Sequence, residues 1–390
     1  MLNYLQLLLI ILSRQFLKLF YIFPVRNNRI LFSSSEGDAY NCNPKYVYLE
    51  LKQECGDNLE YIWCLNNKSN MPATERVRIV RFLSLYHVYY LLTSKVIISN
   101  LGIEPFVPKR KSQLFINTWH GGGCYKDSGI NSTFISKSRA IRMSYMRNIR
   151  SKMTDFLLSS CRAFTDCYSV KFNVPKERIL EIGLPRNDMF FYSQEGKRKI
   201  ICDRFGINNE RLLVLYAPTF RGNWRDSRQI DLHLDVSRVS QAVKEKFGRD
   251  CVLLFRDHRS RGVKVSEGSV DVSLYQDMQE ILYASDILIT DYSSSIWDFS
   301  LTLKPGFLFV PDLDEYEAEA NFHTPIEKWQ YPIARDMDAL CSNIMNYDRK
   351  TAVDRICRHF DEMGSFENGK ASKRLCRIIT NYCGLSDERL

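Results

Sequence analysis

None of the twelve cysteines pairs at the CxxC spacing of a zinc ligand set, and they are scattered along all 390 residues. In a chain this long that scatter argues against a disulfide framework and for reduced core thiols, hence for the cytoplasm. No GxxxxGK[ST] loop is present, which excludes a P-loop NTPase, and no GxGxxG follows a strand, which argues against a dinucleotide oxidoreductase. No DxD-type metal pair stands near the glycine-rich segment. Asp312-Leu-Asp314 follows a predicted strand and reads as a turn, with a metal site as the alternative. Fixed-period repeats and low-complexity tracts are missing too. The uncharged run from Met1 to Ser13 falls short of the ~20 residues a spanning helix needs. Arg14 and Lys18 interrupt the apolar stretch that continues to Phe23. A signal peptide is excluded by the missing basic start and cleavage site. Two readings stay open there: a helix in the membrane interface, or a buried first helix.

What is present is ordinary globular material, 45% hydrophobic and 25% charged. At roughly 150–200 residues per domain the length fits two domains. The formal charge of +9 favours anionic partners without choosing among them. Nucleic acid would explain that charge but none of the motifs below.

Short apolar strands alternate with helical patterns. Strands are predicted at 29–34, 61–65, 95–99, 114–118, 156–159 and 179–183, then at 212–217, 251–256, 287–291 and 306–310. Uninterrupted apolar strands between helices imply parallel sheets covered on both faces. The expectation is an α/β fold of two Rossmann-type domains facing a central cleft, with ligands at the C-terminal strand ends. The expected divisions are 1–28 (first or membrane-interface helix), 29–195 (acceptor domain) and 196–390 (donor domain with terminal helices). Arg139 to Lys152 reads as a helix with a basic face, either touching a membrane or anionic polymer or simply solvated.

Five polar clusters sit at predicted strand ends. Thr118-Trp119-His120-Gly121-Gly122-Gly123 puts an imidazole before three glycines, which let backbone N–H groups approach an anion. A histidine there suits general-base work on a hydroxyl; the bland alternative is a glycine turn with a structural histidine. Thr290-Asp291-Tyr292-Ser293-Ser294-Ser295 opens a helix whose N-terminus can hold phosphate. Ser295 to Asp298 also reads as a capping box that needs no ligand. Arg256-Asp257-His258 offers a diphosphate partner and a charge stabiliser, or a surface salt-bridge cluster. Gly183-Leu-Pro-Arg186-Asn-Asp188 and Tyr216-Ala-Pro218-Thr219-Phe-Arg221 each place an arginine after a proline turn.

In the order and spacing of these segments, from about Arg29 to Arg374, the chain resembles the CDP-glycerol glycerophosphotransferases, the teichoic-acid primases and polymerases. Lys304-Pro305, Asp312 to Tyr316 and Glu367 to Ala371 extend the match. The resemblance implies a GT-B-like fold, a CDP-glycerol or other CDP-alditol donor, a lipid-linked or polymeric glycan acceptor, and peripheral attachment to the cytoplasmic membrane face. It implies catalytic His120 and His258, with the donor held by Trp119, Gly121, Gly122, Gly123, Arg186, Pro218, Thr219, Arg256, Asp257, Ser293, Ser294 and Asp298. No cofactor or bound metal is called for, though a divalent cation could stimulate. Some relatives carry HGTP where this chain has His120-Gly121-Gly122-Gly123, and Arg259 stands where the family often has proline. The competing expectations are a GT-B nucleotide-sugar glycosyltransferase and a non-catalytic polymer-binding relative.

Overall fold

A computed structural model describes residues 2–126, 137–219, 234–257, 268–319 and 321–385. The chain forms two compact units. One comprises Met1–His120, Asn131–Asp188 and Ser365–Leu390; the other comprises Gly121–Ile130 and Met189–Gly364. The final segment therefore groups with the first unit, whereas the sequence pattern put it with the second half.

The first unit holds strands β1 (Arg26–Ser33), β2 (Glu60–Cys64), β3 (Arg78–Val80), β4 (Ser94–Ser99), β5 (Leu114–Asn117), β6 (Phe156–Ser159) and β7 (Ile179–Glu181). The second holds β8 (Leu212–Ala217), β9 (Cys251–Phe255), β10 (Val270–Asp271), β11 (Ile287–Thr290), β12 (Gly306–Phe309) and β13 (Ile333–Ala334). Both sheets are parallel. Their orders are β3-β2-β1-β4-β5-β6-β7 and β10-β9-β8-β11-β12-β13. Each starts in the middle, runs to one edge and then reverses, which is the Rossmann order. Its switch points lie between β1 and β4 and between β8 and β11, where α/β sheets bind ligands.

The helices are α1 (Leu2–Leu17), α2 (Cys42–Cys55), α3 (Leu85–Thr93), α4 (Lys137–Met153) and α5 (Arg162–Phe172), then α6 (Lys197–Phe205), α7 (Val236–Phe247), α8 (Met278–Ala284), α9 (Ser295–Ser300), α10 (Leu313–Glu319), α11 (Met337–Met345), α12 (Arg349–Met363) and α13 (Ala371–Cys383). Alternation along β1 sends Ile30 and Phe32 to one core, with Val47 and Leu51 of α2 and Leu375 and Ile379 of α13. It sends Leu31 to the other, with Leu91 of α3 and Met153 of α4. Leu375 and Ile379 are fully buried. At about 1.5–3 kcal/mol per buried aliphatic side chain, they explain why the C-terminal helix joins the first unit. In the second unit α7 and α11 cover one face of the sheet through Val239, Val243, Leu340 and Ile344. All twelve cysteines are free, and Cys64, Cys161 and Cys376 are among those buried.

The N-terminus corrects one expectation. Two charges do not stop a helix, so α1 runs past Ser13 and through Arg14. A 3₁₀ turn then carries the chain to Ile22. The stretch Asn3–Ile22 has 20 residues, a mean hydropathy of 1.6 and no buried residue, long and apolar enough by length and composition to cross a membrane. It is not a buried first helix. Arg14 Nη1 turns to the carbonyls of Pro105 and Val107 at 2.6 and 2.9 Å, which keeps its charge on the protein side.

Candidate active site

In the first unit the cluster stands beside the switch point. Asn100, immediately after β4, is buried. Its side chain bridges to β1: Oδ1 accepts from the Ser35 amide at 2.9 Å and Nδ2 donates to Ser34 Oγ at 3.2 Å. Its carbonyl lies 3.1 Å from Nδ1 of His120. A carbonyl can only accept, so the neutral ring carries its proton on Nδ1 and its lone pair on Nε2, as a general base requires. His120 is exposed to solvent.

The backbone leading to His120 is strained and braced. Trp119 has φ +54°, a left-handed conformation that a bulky residue rarely adopts. Buried Asn43 donates to the carbonyls of Thr118 and Trp119, both at 3.0 Å. The Trp119 indole rests on Tyr168 and Phe172, 5.5 and 4.9 Å between centroids, and it also meets the His120 ring at 4.2 Å. Arg186 is 5% exposed and donates from Nη1 to the His120 carbonyl at 2.7 Å. The resemblance implies that Arg186 meets the donor; in the fold its Nη1 also braces the histidine segment. Its own turn is fixed by the C-terminal segment. Glu367 accepts from the Leu184 amide and from Asn187 Nδ2 at 3.1 and 2.8 Å. Asp188 accepts from the Ala371 and Ser372 amides that open α13.

Two of the three glycines are closely packed. A Cβ on Gly122 would lie 2.1 Å from Cδ1 of Trp297, and one on Gly123 (φ +65°) would lie 2.9 Å from its Cε3. Both glycines are buried under that indole, and Gly121 is half-buried. At Gly122 and Gly123 a side chain approaches closely. Tyr125 closes the segment: its hydroxyl meets His359 Nε2 at 3.0 Å, while His359 Nδ1 faces the Lys328 carbonyl at 3.2 Å.

In the second unit the cluster sits at the switch point itself. Asp291, ending β11, is 1% exposed and accepts from the Thr219 amide with both oxygens at 2.8 Å and from Thr219 Oγ1 at 2.6 Å. Thr219 follows β8 through buried Pro218. Arg256 follows the neighbouring β9, and its Nη1 donates to the carbonyls of Val272 and Tyr275 at 3.1 and 2.6 Å. Burial lowers its pKa to about 10, so it remains a cation at neutral pH. Asp257 is buried, with its amide on Ser273 Oγ. Ser293 and Ser294 are partly exposed.

The capping box is not formed as read. Helix α9 starts at Ser295 with Ser294 in the cap position. Ser293 Oγ accepts from Ser295 at 3.2 Å (amide) and 2.9 Å (hydroxyl). With Ser295 already inside the helix, Asp298 turns elsewhere, and its Oδ2 accepts from Gln279 Nε2 at 3.0 Å. Asp312 is engaged by the Tyr292 hydroxyl at 3.1 Å, in keeping with a structural turn. His258, Arg221 and Arg259 lie outside the described residues.

An imidazole whose Nδ1 faces a carbonyl, and a hydroxyl-bearing turn with a guanidinium on the adjacent strand end, are parts for moving a phosphate group. Over residues 15–381 the chain matches the family described as CDP-Glycerol:Poly(glycerophosphate) glycerophosphotransferase. It belongs to that family. Its sequence is 28% identical over 383 residues to the teichoic acid poly(glycerol phosphate) polymerase of Staphylococcus epidermidis, covering 91% of this chain and 51% of that protein. The chain thus spans about half the length of that relative. It is 27% identical over 372 residues to the teichoic acid ribitol-phosphate primase of Bacillus spizizenii, with 93% of each covered. A solved structure of a histidine variant of the wall teichoic acid polymerase TagF, soaked with CDPG, matches with a TM-score of 0.80 at 26% identity, covering 95% of this chain and 93% of that one. The fold of this glycerophosphotransferase-family chain is accordingly GT-B-like.

Sequence reasoning missed Asn43, Asn100 and Gln279. Asn100 had a signal, since it ends the apolar strand Lys95–Ser99. Asn43 and Gln279 had none, because each acts through a partner distant in the chain.

Proposed function

We propose that this chain is a CDP-alditol phosphotransferase. It transfers glycerol phosphate, or a similar alditol phosphate, from a CDP-linked donor to a cell-surface polymer or its lipid-linked precursor and releases CMP. Beside the family match, the observation that carries this reading is the Nδ1–H of His120 committed to the Asn100 carbonyl, which leaves Nε2 as the basic nitrogen.

In the reaction the acceptor hydroxyl gives its proton to His120 Nε2 and its oxygen attacks the donor's β-phosphorus in line. The new P–O bond forms as the bond to the bridging oxygen breaks, and CMP departs with that oxygen. The work is positioning and charge stabilisation, as in phosphoryl transfer generally. Arg256 supplies positive charge and Ser293 and Ser294 supply hydroxyls to the donor phosphates. His258 stabilises or protonates the leaving phosphate. Arg186 acts on the reaction through the His120 backbone. The apolar Asn3–Ile22 stretch and the basic helix α4 support attachment to the cytoplasmic face of a membrane.

Incubation of the full chain with a panel of CDP-alditols, with mass spectrometry of the products, tests the reading. The expected products are CMP and a new phosphodiester. Release of a nucleoside diphosphate from nucleotide sugars, with a glycosidic linkage formed, would replace this reading with a glycosyltransferase.

A further inference from the structure

The reaction as described uses His120 but leaves the turn beside it without a task. That turn, at the end of β1, is the most strained among the described residues. Ser35, Glu36 and Gly37 have φ +50°, +56° and +84° in succession, and Cys42 follows at +58°. Of the non-glycine residues with positive φ (Ser35, Glu36, Cys42, Leu83, Trp119, Asn173 and Leu303), four border His120 or its braces. Each such residue costs on the order of 1–3 kcal/mol and persists where the surroundings over-determine it, which happens mostly at functional sites. Here Asn100 does the fixing: one side chain holds the Ser34–Ser35 turn while the same residue's carbonyl holds the His120 ring.

Charges gather at the same place. Glu36 is exposed, and its carboxylate makes no hydrogen bond or ion pair with a described residue. Glu104, on the loop that continues from Asn100, feels both Glu36 and Arg150. Burial pushes its carboxyl up to about 7, so near neutral pH a share of it is protonated and can donate. Arg150 of α4 is an exposed residue whose guanidinium is drawn in far enough that burial lowers its pKa; it lies within electrostatic reach of Glu104 and Glu36 and makes no hydrogen bond to a described residue. On that loop Gly102 (φ +112°) has nothing within 4 Å of a Cβ position, so the space beside it is open. A cation and two carboxyl groups within electrostatic reach of one another, beside the turn that Asn100 ties to His120, make a set suited to a molecule carrying both hydroxyls and a phosphate.

We infer that the acceptor's terminal polyol-phosphate unit docks on this edge of the first unit. Its phosphodiester lies against Arg150, its hydroxyls against Glu36 and the Ser34–Ser35 turn, and its reacting hydroxyl at Nε2 of His120. This rests on the transfer reaction proposed above and names the residues that select its acceptor.

The test titrates the full chain with a synthetic three-unit glycerol phosphate oligomer by calorimetry, and separately with CDP-glycerol. Arg150→Gln and Glu36→Gln should each weaken the oligomer about tenfold or more, the weight of a charge-assisted hydrogen bond. Both should leave CDP-glycerol affinity within about twofold, and in turnover both should raise the acceptor KM rather than lower kcat. Unchanged oligomer affinity in both variants overturns the inference, as does equal loss for oligomer and donor, or a wild-type chain that does not bind the oligomer. Turnover separates the two levels. If no CDP-alditol yields CMP, the transfer reading itself fails; if CMP is released with an unaltered acceptor KM in the variants, only the inference fails.

Discussion

The two sheets share one strand order and differ in what stands at the reversal. In the first unit the edge is built from strain held by buried amides: Trp119 and the Ser35–Glu36 turn in left-handed backbone, fixed by Asn43 and Asn100. In the second no described residue at these strand ends is left-handed, and one carboxylate, Asp291, orients Thr219 while Ser293 and Ser294 precede a helix. A base has to be held in one tautomer and one direction, which takes many fixed partners. A diphosphate is met by amides, hydroxyls and a guanidinium, which tolerate a looser frame. The proposed division of labour between the units fits what each partner would demand of the backbone.

The largest effect expected from breaking this comparison is kinetic. His120→Gln keeps the polar shape and removes the base, so CMP release should fall about 10²–10⁴-fold. The side chain is exposed, so the unfolding free energy should stay within about 0.5 kcal/mol of wild type by urea titration. Loss of activity with an equal loss of stability would mean that the histidine is a brace like Arg186, and the contrast between the units would weaken.

Much of this was legible beforehand. The alternation of apolar strands and helices located most of the strands, because a parallel strand buried on both faces has little freedom in composition. The polar clusters put His120, Thr219, Arg256 and Ser293 at strand ends, where ligands gather in α/β sheets. Roles were less legible. The glycines of Gly121-Gly122-Gly123 look alike in sequence, but the packing of two of them depends on Trp297, more than a hundred residues later. Arg186 reads as a ligand arginine, and its bond to the His120 carbonyl is visible only in the fold. The grouping of α13 with the first unit was hidden for the same reason, since Leu375 and Ile379 show only that the helix has an apolar face.

A second comparison concerns one buried histidine in each unit. His87 accepts the Leu83 amide on Nδ1, so its ring carries the proton on Nε2. His359 faces the Lys328 carbonyl through Nδ1 and the Tyr125 hydroxyl through Nε2, the opposite tautomer. Burial lowers both pKa values to about 4. Above pH ~6.5 neither the folded nor the unfolded chain protonates them, so they add no pH dependence. Below it the unfolded chain takes up a proton that the folded chain refuses, so stability falls until about pH 4, where the folded chain accepts it too. Each histidine should remove up to about 3 kcal/mol across that window. Urea titrations at pH 7, 5.5 and 4.5 on wild type, His87→Gln and His359→Gln check this. Each variant should flatten its own share of the slope, and a slope unchanged in both would show that other groups carry it.

The smallest expected effect bears on how the base-bearing segment enters the second unit. Gly122→Ala adds one methyl group where a carbon would sit 2.1 Å from Cδ1 of the fully buried Trp297. Trp297 has little room to give, because Phe360 packs against its ring at 4.9 Å between centroids. Overpacking of this kind costs about 1–3 kcal/mol. Gly122 lies two residues from His120, so the strain has two outlets. If the indole yields, the thermal midpoint drops and CMP release per folded molecule is preserved. If the segment lifts instead, the midpoint drops less and kcat falls while the KM for donor holds. The second outcome is expected, because fully buried Trp297 is backed by Phe360 and the strain passes to the segment that carries His120. A Gly122→Ala variant with wild-type stability and rate would show that the glycine segment does not lie against Trp297 in solution.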